Sequence, residues 1–194
     1  KPLLEHLGLN TLIITDLDAK DAAGASVPPV RASSLKARNE TLKTWIPAIE
    51  DLDTLLDKKP EEIVLNDPSG YGIRVAYQQP ISAKFKSKED KEALANTFED
   101  ALVYENLDLF QKMEGTGLMG RIRKSLDVAT DLSDLATRML AALAKGGKAE
   151  FTMDLLDSDE IETMRVPAYI DSGLLWLAAQ LKRKEDGISG KAPE

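Results

Sequence analysis

The sequence of 194 residues has no cysteine and one histidine, His6. The lack of cysteine excludes disulfides, thiol catalysis, iron–sulfur clusters and cysteine-ligated zinc. A single histidine also excludes metal sites built from several imidazoles, and a Ser-His-Asp triad would have to use His6. The remaining chemistry is that of oxygen and nitrogen ligands: carboxylates, hydroxyls, lysines and hard cations such as Mg²⁺ or Mn²⁺.

The sequence also has no apolar run near the roughly 18 to 20 residues that a membrane span needs, and no leader pattern of basic then apolar residues. We therefore expect a cytoplasmic protein without a membrane partner. The formal net charge of −8 is unusual for a protein that binds nucleic acid. Basic residues are nevertheless grouped locally, in three sets: Arg31, Lys36, Arg38 and Lys43; Lys84, Lys86, Lys88 and Lys91; Arg121, Arg123 and Lys124.

The clearest chemical feature is a pair of aspartates, Asp16 and Asp18, directly after the apolar segment 11–15. This segment has the composition of a buried parallel strand, and residues 2–7 before it predict a helix that ends at Gly8. Side chains two apart on an extended strand point the same way, so both carboxylates can face one cation or a pair of cations. Ligand sites in α/β sheets form at this end of the strands.

Further along, residues 19–38 predict a long loop, and Asn39 predicts the cap of a helix over 40–45. Apolar spacing predicts one helix over 88–105 and a single long helix over 121–145. Residues 148–156 fit a strand or a helix. A last helix is predicted from Pro167 onward, and the residues predicted to face inward are Leu174, Leu175, Ala178 and Leu181.

An apolar strand followed by Asp-x-Asp fits three enzyme classes. Phosphatases of the haloacid dehalogenase type usually have Thr or Val two residues after the second aspartate, where this chain has Lys20. Sugar-nucleotide transferases hold a metal diphosphate with the pair, but find no other support in the sequence. The third class is the topoisomerase–primase (TOPRIM) domain, in which the pair binds Mg²⁺. A bare pair also fits solvated loop aspartates or a helix cap.

Several segments, in the same order along the chain, resemble the catalytic region of OLD (overcoming lysogenization defect) family nucleases, which join an ATPase to a TOPRIM domain. The segments are TLIITDLDA at 11–19, NETLKTW at 39–45, AYQQP at 76–80, NTFEDALVYEN at 96–106 and KAEFT at 148–152. The resemblance implies an α/β fold with a TOPRIM-like, Rossmann-type parallel sheet core over 1–107 and 147–194. The remaining residues, 108–146, are expected to form a helical insertion.

The resemblance also implies roles for five residues. Asp16 and Asp18 would bind metal, Thr97 and Glu99 would complete a second metal site, and Lys148 would neutralise the phosphate in the transition state. Two cations about 4 Å apart assist in-line attack on a phosphodiester, and a lysine aimed at the developing charge adds stabilisation. The alternatives are a cap for Thr97, a favourable helix-dipole position for Glu99 and a solvated surface position for Lys148.

These points predict a DNA endonuclease that uses two Mg²⁺ or Mn²⁺ ions, forms part of a longer ATPase-linked protein and is able to form a homo-oligomer. The alternatives are a phosphatase with an aspartate nucleophile and a noncatalytic TOPRIM scaffold. TOPRIM domains also have a glutamate in a Glu-Gly context after an earlier strand, and nothing before Thr11 fits that pattern. Either this glutamate lies upstream of Lys1 or it is absent. We also expect the ATPase upstream, because the motif of its phosphate-binding loop is not present in these 194 residues.

Overall fold

The computed structural model describes residues 1–87 and 89–189 and shows a mixed α/β fold. The strands are β1 (Thr11–Ile14), β2 (Ala19–Lys20), β3 (Lys36–Ala37), β4 (Val64–Asn66), β5 (Gly72–Ala76), β6 (Ile81–Ala83) and β7 (Lys91–Ala93). The helices are α1 (Pro2–Leu7), α2 (Glu40–Thr44), α3 (Leu52–Leu56), α4 (Phe98–Glu105), α5 (Leu107–Phe110), α6 (Gly117–Val128), α7 (Leu132–Leu143), α8 (Lys148–Leu156) and α9 (Ala168–Ser189). Short 3₁₀ turns cover Pro60–Ile63 and Ile161–Thr163. Within the described residues, no helix combines the length and the apolar composition that crossing a membrane requires.

A three-stranded sheet in the order β1-β5-β4 organises the fold. Strand β1 runs parallel to β5, with Thr11 opposite Ile73 and Ile14 opposite Ala76, whereas β4 pairs with β5 in the antiparallel sense. Every residue of β5 is buried, as expected for a central strand covered on both faces. The α/β prediction is therefore confirmed, with one parallel and one antiparallel pair in the sheet.

Side chains that alternate along β5 divide the interior into two cores. Ile73, Val75 and Tyr77 belong to a first core with α2, α3 and the residues that follow β1. Ala76 belongs to a second core that contains the apolar faces of α4 to α8. Since neighbouring residues of a strand point to opposite faces, one strand contributes to both.

The N-terminal half mostly follows the sequence predictions. Helix α1 ends at Gly8, whose φ of 57° is left-handed, and Asn39 caps α2 by accepting hydrogen bonds from the N–H groups of Thr41 and Leu42. The predicted loop over 19–38 is interrupted at both ends, because β2 and β3 pair with each other. Ala19 and Ala37 are fully buried there, so apolar burial secures the ends of this segment.

The prediction of one helix over 88–105 is wrong for its first half. Residues Lys91–Ala93 form β7, which pairs antiparallel with β6, and the helix begins only at Phe98. Asp100 decides this start, because its carboxylate accepts hydrogen bonds from the N–H groups of Asn96 and Thr97. Lys88, where the helix was expected to begin, lies outside the described residues.

The prediction of one long helix over 121–145 is also wrong. The chain forms α6 and α7, which pack against each other on either side of a break at residues 129–131. Asp131 caps α7 by accepting from the N–H of Asp134, while Asp134 accepts in return from the N–H of Thr130. The two helices turn apolar faces into one core, and their fully buried side chains include Leu118, Met119, Ile122, Leu126, Leu135 and Met139.

The last helix starts where Pro167 predicts, but a different face packs inward. Leu174, Leu175, Ala178 and Leu181 are exposed, so their predicted burial is wrong. Helix α9 instead contacts β1 and β5 through Gly173, whose lack of a side chain allows close approach to Leu12 and Ala76. Residues 148–156, left open between strand and helix, form α8. Residues 190–194, at the end of the predicted core, lie outside the described part.

Candidate active site

The candidate site lies where β1 and β5 end and three helices begin. Asp16 follows β1 and Gln78 follows β5, so the parallel pairing of the strands brings both side chains to the same edge. Glu99 lies in the first turn of α4, Lys148 in the first turn of α8 and Tyr169 in the first turn of α9. Elements distant in sequence thus meet at the carboxyl end of the parallel pair, the usual position of ligand sites in such sheets.

One carboxylate oxygen of Asp16 accepts two hydrogen bonds. Its Oδ1 accepts from the backbone N–H of Phe98 at 3.0 Å and from Nε2 of Gln78 at 2.9 Å. Burial raises the pKa of Asp16, and the neighbouring negative charges of Asp18 and Glu99 raise it further, against the lowering effects of Gln78 and Lys148. The carboxylate therefore lies in a partly desolvated site with excess negative charge, where a cation would favour its ionised form.

The backbone at Asp18 is not the extended strand that the sequence predicts. Its φ is 52°, so the chain turns in the left-handed region instead of continuing as an extended strand. Its N–H donates to the carbonyl of Asn96 and its own carbonyl accepts from the N–H of Arg38. Asp16 and Asp18 still line one shallow, open depression, together with Asn39, Phe98 and Tyr169.

Thr97, Glu99 and Lys148 form a second, connected group. The hydroxyl of Thr97 donates to Oε2 of Glu99 at 2.8 Å, and Nζ of Lys148 lies 2.9 Å from the same oxygen. Glu99 is buried, whereas the Lys148 side chain is about half exposed. Burial alone would lower the pKa of Lys148, but the hydrogen bond and charge of Glu99, with the charges of Asp16 and Asp18, raise it overall. Lys148 is thus a stable ammonium beside three carboxylates.

The donors around the depression suit a hard cation. Within residues 1–87 and 89–189, no set of three or more His, Asp or Glu side chains is arranged to hold a metal ion. Mg²⁺, however, is commonly bound through one or two carboxylates, with water and substrate phosphate oxygens completing the octahedron. Asp16 and Asp18 supply two such carboxylates. Their oxygen atoms are the kind of ligand that Mg²⁺ and Mn²⁺ prefer.

The structure adds residues to which the sequence analysis gave no role in the site. Gln78 lies in the segment AYQQP, and Tyr169 lies in the first turn of α9. The Gln78 amide donates hydrogen bonds to both Asp16 and the Tyr169 hydroxyl oxygen. Asp100 is buried behind Thr97, and burial raises its pKa to about 6 despite the hydrogen bonds that it accepts from Asn96 and Thr97. The position of Asp100 three residues after Thr97 was the one available signal, since an acid there commonly completes a helix cap.

The comparisons with known proteins show one distant similarity and do not define a family. No family model and no solved structure matches the chain. The chain is 25% identical over 186 residues to endonuclease GajA of Bacillus cereus strain HuB5-5, a match that covers 94% of this chain and 26% of that protein. The chain therefore spans about a quarter of the length of this curated relative. Along nearly its whole sequence, the chain is distantly similar to an endonuclease.

Proposed function

We propose that this chain is the catalytic region of a divalent-metal-dependent DNA endonuclease of the OLD type, with a TOPRIM-like core. The observation that carries the proposal is the meeting of Asp16, Asp18, Thr97, Glu99 and Lys148 at one edge of the sheet. These are the residues to which the resemblance gave catalytic roles. The distant similarity to an endonuclease over almost the whole chain supports the same function.

In this proposal, the residues divide the work of cleaving a phosphodiester. Asp16 and Asp18 would hold a Mg²⁺ or Mn²⁺ ion, and Thr97 and Glu99 would contribute oxygens to a second. Bound cations supply a water nucleophile at neutral pH and charge for the leaving oxygen. Lys148 stays protonated because of its acidic neighbours, and its ammonium offsets the negative charge that builds up on the phosphate. Water adds to phosphorus as the bond to the leaving oxygen breaks, and that oxygen takes up a proton.

We further propose that the chain works beside an ATPase region in a longer cytoplasmic protein, which is able to form a homo-oligomer. The curated relative is about four times as long as the segment that matches this chain, which leaves room there for further domains. A glutamate in a Glu-Gly context upstream of Lys1 would add a ligand to the two carboxylates of the depression.

The direct test is nicking of supercoiled plasmid DNA with Mg²⁺ or Mn²⁺, by this chain and by the longest natural protein that contains it. We expect Asp16→Asn to lower the nicking rate at least about 100-fold, since even residues that only support metal ligands commonly cost 10- to 100-fold. Asp159→Asn, at an exposed aspartate that does not line the depression, should leave the rate unchanged.

The outcomes separate three functions. Nicking that is abolished by chelator and by Asp16→Asn supports the nuclease. Phosphate release from p-nitrophenyl phosphate without plasmid nicking would indicate a phosphatase instead. If neither metal gives nicks in either protein, the nuclease proposal fails and the noncatalytic scaffold becomes the better explanation.

A further inference from the structure

The Gln78 side chain is a buried amide in which both the oxygen and the nitrogen are committed. It is 1% exposed. Its Oε1 accepts from the N–H of Leu17 at 2.7 Å, and its Nε2 donates to Oδ1 of Asp16 at 2.9 Å and to the hydroxyl oxygen of Tyr169 at 3.1 Å. A flipped amide would place its oxygen against a carboxylate and its nitrogen against an N–H donor. The amide therefore has one favourable orientation.

This orientation determines which oxygen of Asp16 is available. Oδ1 accepts from both Gln78 and the N–H of Phe98, so its strongest acceptor directions are already used. The other oxygen, Oδ2, is then the atom that can bind a cation in the depression lined by Asp16 and Asp18. Gln78 also fixes the backbone between the two aspartates through Leu17, so one side chain orients both the carboxylate and the turn that leads to Asp18.

The Gln78 amide is also held by a hydrogen bond to helix α9. The Tyr169 hydroxyl lies in the first turn of α9, and α9 is fastened to β5 by Arg74. The guanidinium of Arg74 donates to the carbonyl oxygen of Ser172 at 2.9 Å and to its hydroxyl at 2.7 Å. Tyr169 therefore holds the Gln78 amide from a helix that is itself anchored to the sheet.

We propose that Gln78 is a positioning residue that presents Oδ2 of Asp16 to the catalytic cation, and that Tyr169 holds the Gln78 amide in the orientation this requires. The inference rests on the proposed function, because it assumes that Asp16 binds a cation. Neither side chain needs to contact the cation. Residues that orient a metal ligand commonly change metal affinity 10- to 100-fold when they are removed.

The test is the dissociation constant for Mn²⁺, measured by calorimetry on the chain without DNA. Gln78→Met keeps the length of the side chain and removes its hydrogen bonds, and we expect it to weaken Mn²⁺ binding about 10- to 100-fold. Tyr169→Phe removes only the oxygen that braces Gln78, and should weaken binding less, about 3- to 10-fold on the same scale. Gln79→Met changes the neighbouring amide and should bind Mn²⁺ like the wild type.

Asp16→Asn tells failure of this inference apart from failure of the proposed function. If Asp16→Asn loses Mn²⁺ while Gln78→Met and Tyr169→Phe bind it like the wild type, the positioning role is wrong and the nuclease proposal stands. If the wild type binds no Mn²⁺, or Asp16→Asn binds it equally well, the positioning role and the metal site proposed at Asp16 both fall, and plasmid nicking then decides the nuclease proposal separately. If Gln78→Met does not fold, as judged by circular dichroism, Tyr169→Phe alone decides, and unchanged affinity there overturns the role.

Discussion

The ion pair between Lys148 and Glu99 matters because negative charge exceeds positive charge around it. Asp16, Asp18 and Glu99 lie near the Lys148 ammonium, and each of these charges raises the pKa of Lys148. The Lys148 side chain is about half exposed, so solvent screens much of the attraction and the pair adds little to stability. The pair instead fixes the position of Nζ, beside Glu99 and near the charges of Asp16 and Asp18. In the proposed function, a substrate phosphate would lie next to it.

Removing this ammonium should separate catalysis from cation binding. We expect Lys148→Met to lower kcat for plasmid nicking about 100- to 1000-fold, the usual cost of losing one group that stabilises transition-state charge. Mn²⁺ affinity should stay equal or become tighter, because Glu99 loses its competing positive partner. Lys145→Met, at an exposed lysine three residues earlier, is the matched control. Recovery of the lost rate at high Mn²⁺ would contradict the role of Lys148 in the transition state.

At the same scale, the sequence pointed to charged site residues more readily than to the neutral ones. Asp16 and Asp18 could be named as candidates because two acids directly after an apolar strand are chemically conspicuous. Gln78 and Tyr169 were not, because a glutamine and a tyrosine carry no sign of a site until the pairing of β1 with β5 and the packing of α9 place them beside Asp16. Which hydrogen bonds a neutral side chain forms depends on its tertiary contacts.

Between elements, Tyr77 connects the end of β5 to α3. Its hydroxyl donates to the carbonyl oxygen of Leu55 at 2.7 Å, and the side chain is fully buried. Burial raises the pKa of Tyr77 from 10.0 to about 12. The folded protein therefore holds this proton more tightly than the unfolded chain, and the stability linked to it is complete below pH 10 and lost as pH rises through 12.

Tyr77→Phe should remove this pH dependence together with the hydrogen bond. At pH 8, we expect the variant to be less stable by about 0.5 to 1.5 kcal/mol, since the carbonyl of Leu55 loses the Tyr77 hydroxyl and keeps the N–H of Lys58 as a donor. At pH 11, the deficit should be smaller by about 1 kcal/mol, because only the wild type loses stability between these values. Urea unfolding at both pH values measures the difference. Tyr104 and Tyr169 are present in both proteins and cancel, so a deficit that does not change with pH would contradict the assignment.

The wrong predictions of elements have one cause in common. The spacing of apolar residues along the chain does not show which other element packs against them. Residues 121–145 keep helical spacing through the break at Asp131, because α6 and α7 turn their apolar faces to a common core. In α9, the leucines at 174, 175 and 181 suggested a buried face, but Gly173 gives the closest approach to β1 and turns them outward. The short strands β6 and β7 exist only through their pairing.

In the whole molecule, the candidate site lies between two cores that share one strand. Leu17, next to Asp16, belongs to the first core, whereas Tyr169 and the buried part of α4 belong to the second. A partition with 108–146 as a separate insertion stays a prediction. Because α6 and α7 bury their apolar side chains in the same cluster as Phe151 and Tyr169, and β5 contributes to both cores, we expect the two cores to unfold together.

Ile122→Ala tests this expectation with a reporter in the other core. Ile122 is fully buried on α6, and its truncation should cost about 2 to 5 kcal/mol, or a fall of about 1 M or more in the urea midpoint. In a Trp176→Phe background, fluorescence reports Trp45, which packs against the first core, while circular dichroism follows the helices. Both signals should shift together.

Val128→Ala, at an exposed position of the same helix, is the control, and its free energy of unfolding should stay within about 0.5 kcal/mol of the wild type. A Trp45 transition that keeps its wild-type midpoint while the helical signal shifts would mean that the cores are independent, and that the proposed metal ligands Asp16 and Asp18 are held by the first core alone.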